Sequence, residues 1–130
     1  MAQLGRPAVD VDPSHQRTVV LEHLANPAGA IFVADGNGKL AGCASFWIRP
    51  RLNWTTPEAW VPDLVVLPAY RRRGFARALL DACVTEARHR GCHTLKLESG
   101  DDRQEAHALY AANGFERFGG AYRFALSASN

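Results

Sequence analysis

Apolar positions along the chain change period several times, and each change predicts a new element. Residues 64–67, Leu-Val-Val-Leu, form an unbroken apolar run, as expected for a strand covered on both faces. Pro68 ends it, because proline cannot donate to a ladder. From Gly74 onward the period becomes helical. Phe75, Leu79, Cys83 and Ala87 fall on one stripe, with Ala76, Leu80 and Val84 beside it. This predicts a helix over 75–90, stopped by Gly91 after the basic residues Arg88, His89 and Arg90.

Upstream, residues 1–12 are polar without a period and are expected to be loose. Asp12-Pro13 opens a helix, with an acid at the cap and proline at the first helical position. Val19, Val20, His23 and Leu24 would be its apolar side, and Asn26-Pro27-Ala28-Gly29 its stop. Strands are expected at 30–34 and 40–48, joined by Asp35-Gly36-Asn37-Gly38, with Gly42 as a bulge. A loop over 49–57 leads into a long strand over 58–67. Downstream, alternation predicts a strand at 93–98, and helical spacing of Ala106, Leu109 and Tyr110 predicts a helix at 104–113. Strands at 115–118 and 121–126, joined by Gly119-Gly120, would close the chain. A strand, a helix and a strand in succession make a parallel pair, so the fold class is α/β (α+β) with one mixed sheet.

With 130 residues, no internal repeat and no second core, the chain reads as a single domain over 1–130. A net charge of +2 does not indicate general nucleic-acid binding. No apolar h-region opens the chain and no run has the ~18–20 apolar residues of a membrane span, so a cytoplasmic protein is expected. Cys43, Cys83 and Cys92 are widely spaced without CxxC, which points to reduced structural thiols and no zinc site.

Charge matters locally. Arg71, Arg72, Arg73 and Arg77 crowd a glycine turn at a helix start, where backbone N–H groups and the helix dipole favour an anion. A solvated basic helix start would have the same composition. Neither the Walker P-loop spacing nor GxGxxG is present.

The wider pattern is Val66-x-Pro68-x-x-Arg71-x-x-Gly74-x-Ala76, then a strand, then Ala106-x-x-x-Tyr110-x-x-x-Gly114-Phe115. It resembles the GNAT superfamily of acetyl-CoA-dependent N-acetyltransferases over residues 30–126. The resemblance implies a mostly antiparallel sheet with a central, splayed parallel pair and flanking helices. The superfamily's initial strand and helix would be shortened or missing here. One sheet edge would then be open or covered by the partner subunit of a homodimer. It implies that the pantetheine arm of acetyl-CoA pairs with backbone at Leu64, Val65 and Val66. The pyrophosphate would sit on amides from Arg72, Arg73, Gly74, Phe75, Ala76 and Arg77, with Arg71 also among the cofactor-binding residues. The reaction would be direct attack of a primary amine, on a small molecule or a peptide, with no metal, nucleic acid or membrane involved.

The resemblance also assigns roles that the residue pattern leaves open. Tyr110 stands where many members protonate the departing thiolate, although its spacing with Ala106 equally suits core packing. Glu98 matches a glutamate that serves as base in protein N-terminal acetylating members; a solvated strand-end carboxylate is the plainer account. Asp63 is the second base candidate and Glu58 the third. Asp63 stands one residue after the glutamate position of other members, occupied here by Pro62, and such an offset turns a strand side chain to the other face. Arg103 replaces a frequent asparagine and would hold a phosphate or a substrate carboxylate. Arginine at Arg71 is an accepted variant of glutamine. His107 reads as a helix-surface histidine or a site residue. Trp47, Trp54 and Trp60 would either line an aromatic acceptor pocket or pack the hairpin. Two other classes compete: a non-catalytic acyl-CoA-binding module of the same fold, and a small nucleic-acid-binding domain. Focusing of the arginines at one turn disfavours the latter.

Overall fold

The β1–β2 hairpin forms where the sequence places two residues that accept positive φ. Asn37 and Gly38 have φ of 57° and 83°, Gly36 and Lys39 exchange backbone hydrogen bonds around them, and Asp35 Oδ1 accepts from the Gly38 N–H at 2.8 Å. In the computed structural model, which describes residues 13–97, 104–119 and 122–126, the order is α1 (Pro13–Ala25), β1 (Gly29–Asp35), β2 (Leu40–Arg49), β3 (Glu58–Val61), β4 (Leu64–Val66), a 3-10 turn (Pro68–Tyr70), α2 (Phe75–His89), β5 (Leu95–Leu97) and α3 (Gln104–Ala112). The loose segment expected over 1–12 lies outside the described residues.

Among the described residues the sheet has five strands in the order β1-β2-β3-β5, with β4 also on β2. Every pair is antiparallel except β3–β5, the parallel pair expected from the crossover through α2. The long strand expected over 58–67 is broken. Trp60 faces Trp47 and Leu64 faces Ala44, so three residues on the outgoing strand oppose two on β2. That extra residue is a bulge at Pro62-Asp63. A second irregularity falls at Ala41, next to the expected Gly42. Gly42 is glycine for another reason: a Cβ there would run into the Val65 carbonyl oxygen.

One face of the sheet holds Ala44, Phe46, Ala59, Val61, Leu64 and Val66 and packs on Leu79, Leu80, Cys83 and Ala87 of α2. Those four residues are the buried stripe that the helical spacing predicts. α2 ends as expected, with Gly91 at φ 74°. Burial pushes the Cys83 thiol up to about 12, in keeping with a structural cysteine. All three cysteines are free.

Two further expectations fail. In α1 only His23 is buried; Val19, Val20, Leu21 and Leu24 are exposed. His23 is the buried anchor of the helix, with its Nε2 2.9 Å from Ala30 O and 3.0 Å from Phe46 O, and its ring against Trp47. The described residues of the two expected C-terminal strands, 115–118 and 122–126, form no ladder, and Phe118, Tyr122, Phe124 and Leu126 are exposed. Their alternation supplies a strand-like pattern but no partner. β5 is therefore the edge of the described sheet, and the parallel pair sits at that edge.

Candidate active site

The site is built where the parallel pair ends. β3 and β5 stay in register from Ala59↔Leu95 to Val61↔Leu97, and β4 then pairs only with β2 among the described residues. Along β4 the bonds to β2 alternate: Ser45 N–H donates to Asp63 O at 3.0 Å and Leu67 N–H to Ala41 O at 2.8 Å. Antiparallel alternation therefore turns the backbone groups of Leu64 and Val66 away from β2, toward the splay. Arg71 Nε reaches Val66 O at 3.3 Å on that side.

Beyond β4 the chain makes a tight turn. Arg72 and Gly74 both have positive φ, 61° and 84°. The first helical bond of α2 runs from Ala78 N–H to Gly74 O, so the N–H groups of Phe75, Ala76 and Arg77 have no partner within the helix. Gly74 caps α2 without a side chain. A Cβ built there meets nothing within 4 Å, so the backbone is open to a ligand. Arg73 lies over the rings of Tyr70 and Phe75, at 5.4 and 5.8 Å. The hairpin tip packs on the same tyrosine, leaving no room for a Cβ at Gly36. Arg77 meets Asp81 at only 4.0 Å in solvent, a weak contact.

A cleft of about 350 Å³ opens here, lined on one side by Val66, Tyr70 to Arg72 and Gly74 to Arg77 and on the other by Ala106, Ala108 and Leu109 of α3. An anion nest, open backbone and a long wall suit a phosphate-bearing ligand with an extended arm. The sequence reading did not single out Tyr70 and Leu109 as site residues. Tyr70 lay inside the motif as a spacer, and Leu109 read as core.

The opposite sheet face carries different chemistry. Cross-strand pairs put Cys43, Ser45, Trp47 and Arg49 on the same face as Val65, Asp63, Trp60 and Glu58. The bulge removes one residue from the alternation. Asp63 therefore shares this face with Trp60 despite their odd separation. Ser45 clasps it: Ser45 Oγ donates to Asp63 Oδ2 at 2.8 Å and accepts from Asp63 N–H at 3.1 Å. Burial first, and then the Asp63 charge, push the Cys43 thiol up.

Glu58 is 1% exposed and held by Arg49, Arg51 and Lys96 at 2.8–2.9 Å. Burial works against its charge, but hydrogen bonds from Lys96 and Arg51 and the Arg49 charge outweigh that and hold the carboxyl at about 2. It is therefore unsuited to accept a proton near neutral pH, which removes it as a base candidate. The tryptophans do not form one pocket. Trp47 lies on His23, Trp60 under the Arg49 guanidinium at 4.5 Å, and Trp54 stacks on His93 at 4.2 Å.

The family model described as "Acetyltransferase (GNAT) family" matches residues 3–115. The chain belongs to the GNAT acetyltransferase family. An aminoglycoside N(6′)-acetyltransferase type 1 of Stenotrophomonas maltophilia is 33% identical over 109 residues, 81% of this chain and 69% of that enzyme. The ribosomal protein bS18-alanine N-acetyltransferase of Escherichia coli K12 is 37% identical over 84 residues, 65% of this chain and 53% of that enzyme. The chain thus spans about half the length of that second relative. The structure of AAC(6′)-Iy in complex with the bisubstrate analog CoA-S-monomethyl-acetylneamine superposes with a TM-score of 0.79, at 23% identity over 89% of this chain and 81% of that one. The expected family, fold and acyltransferase class agree with these relatives.

Within this GNAT fold, Tyr110 is 9% exposed in the core, its ring 6.1 Å from Phe115, one residue past the cleft wall at Leu109. Glu98 and Arg103 lie outside the described residues. Among the described residues no cluster of metal-ligating side chains occurs, and no helix is long and apolar enough to cross a membrane.

Proposed function

We propose that the chain acts as a single domain that transfers an acetyl group from acetyl-CoA to a primary amine. The observation that carries this reading is the edge of β4: backbone groups of Leu64 and Val66 turn away from β2, and Val66 lines the same cleft as Arg72 and Gly74. Acetyl-CoA, when bound, supplies the acyl group as an activated thioester. The N–H groups of Phe75, Ala76 and Arg77 hold its pyrophosphate, with Arg71, Arg72 and Arg73 adding positive charge. The backbone at Leu64, Val65 and Val66 aligns the pantetheine arm, and an N–H turned into the splay polarises the thioester carbonyl.

Asp63, positioned by Ser45 on the far face, takes the proton that the amine must lose, with Glu98 as the second base. Tyr110 holds the proton that the departing sulfur takes up, and Arg103 adds a contact to phosphate or acceptor. The relatives' names give an aminoglycoside and an alanine of ribosomal protein bS18 as acceptors, and a primary amine is the group that both can offer.

Thiol release from acetyl-CoA, followed across a panel of primary amines, tests this. Release that depends on the amine is expected, and Tyr110→Phe should lower kcat roughly 100-fold with little change in acetyl-CoA affinity. Acetyl-CoA binding without amine-dependent release would leave only an acyl-CoA-binding module. Equal turnover in the phenylalanine variant would reduce Tyr110 to packing.

A further inference from the structure

Glu58 leaves a charge imbalance that the proposed chemistry does not use. Among the described residues three cations, Arg49, Arg51 and Lys96, surround one buried carboxylate, a surplus of two positive charges within that group. Their side chains remain 38%, 41% and 35% exposed, so a ligand can reach them. The cluster also holds more donors than acceptors: Arg49 Nε and Trp60 Nε1 are buried without a hydrogen-bond partner.

These groups share the sheet face that carries Asp63. Lys96 pairs beside Trp60, which precedes Asp63 by three positions. On β2 the facing residues Ser45 and Trp47 are two steps apart, and Arg49, which faces Glu58, is four steps from Ser45, so at about 3.3 Å per residue the cluster lies roughly 7–13 Å from Asp63 along the strand. One end of the face is negative and adjoins the splay, and the other end is positive.

We propose that the acceptor amine carries a carboxylate, which docks on Arg51, Lys96 and Arg49 while the amine lies at Asp63. The inference rests on the acetyltransferase reading and names its acceptor class: primary amines with an anionic group roughly 7–13 Å away. A tripeptide with a free C-terminus matches that span, at about 3.3–3.6 Å per residue. An aminoglycoside would bring positive charge against the surplus. Lys96 and Arg51 set specificity by binding the far end of the acceptor and take no part in proton transfer.

The test compares Ala-Ala-Ala with its C-terminal amide, alongside spermidine and an aminoglycoside, by thiol release from acetyl-CoA. The free acid should show a KM at least tenfold below the amide, an advantage that shrinks as salt rises. Arg51→Gln and Lys96→Gln each leave Glu58 with other cations. Each should raise KM for the free acid about tenfold, with the amide and the affinity for acetyl-CoA unchanged. Turnover of acid and amide with equal KM, or preference for spermidine or the aminoglycoside, would overturn this inference and leave the acetyltransferase reading standing. If no amine in the panel releases thiol, both fall.

Discussion

Gly74 concentrates the ligand site in one residue. Its φ of 84° is strained for any side chain, and its missing Cβ leaves open space above the α2 amides. Gly74→Glu should weaken acetyl-CoA binding at least tenfold by calorimetry, because it places a carboxylate where the pyrophosphate is held. Gly74→Ala, which brings backbone strain without charge, should do less. An unchanged affinity in the glutamate variant would show that the nest lies elsewhere. Asp63 and Glu58 show why residue type alone does not settle a base. By spacing, Asp63 looked misdirected and Glu58 merely remote. The bulge brings Asp63 onto the face of Trp60, and three cations hold Glu58 at about 2.

At the scale of elements, the β2–β4 contact sets the cleft edge. Gly42 lets the two strands approach until its Cα faces Val65 O, with Val66 Cα 3.2 Å from where a Cβ would stand. Gly42→Ala should cost about 1–3 kcal/mol by forced strand separation, read as a lower Tm, and should also weaken acetyl-CoA binding by displacing Leu64 and Val66. A variant with wild-type Tm and affinity would mean that β4 tolerates a shift. The hairpin tip and α2 were legible in sequence because local chemistry decides them: Asn37-Gly38 at positive φ, and an apolar stripe between Gly74 and Gly91. α1 was legible as a helix but not as to its buried side. Most of its apolar residues stay exposed, and the contacts of His23 with strand carbonyls and with Trp47 mark the side that faces the sheet.

Across the molecule, Glu58 ties β2, β3, β5 and the loop at Arg51 into one charge cluster. Its carboxyl sits at about 2 in the folded chain, against about 4.3 when unfolded. A depressed folded value means that the stabilisation is complete above the unfolded value and is lost as pH falls toward the folded one. Two units correspond to at most roughly 3 kcal/mol. Urea unfolding should therefore show stability declining between about pH 5 and pH 2. Glu58→Gln should be less stable at pH 7 and should lose less on acidification. A wild-type acid profile in that variant would remove Glu58 as the cause.

The sequence by itself determined the elements whose causes are local: turns that need positive φ, the stripe of α2, the proline that ends β4 and the arginine-rich glycine turn. Backbone sterics and nearest-neighbour spacing act within a few residues, so composition and period suffice there. Tertiary structure alone decided what depends on a partner strand. The bulge that re-aims Asp63 exists only relative to β2, and the splay only relative to β5. The alternating residues 122–126 remained without a ladder, because a strand pattern becomes a strand only where another edge receives it.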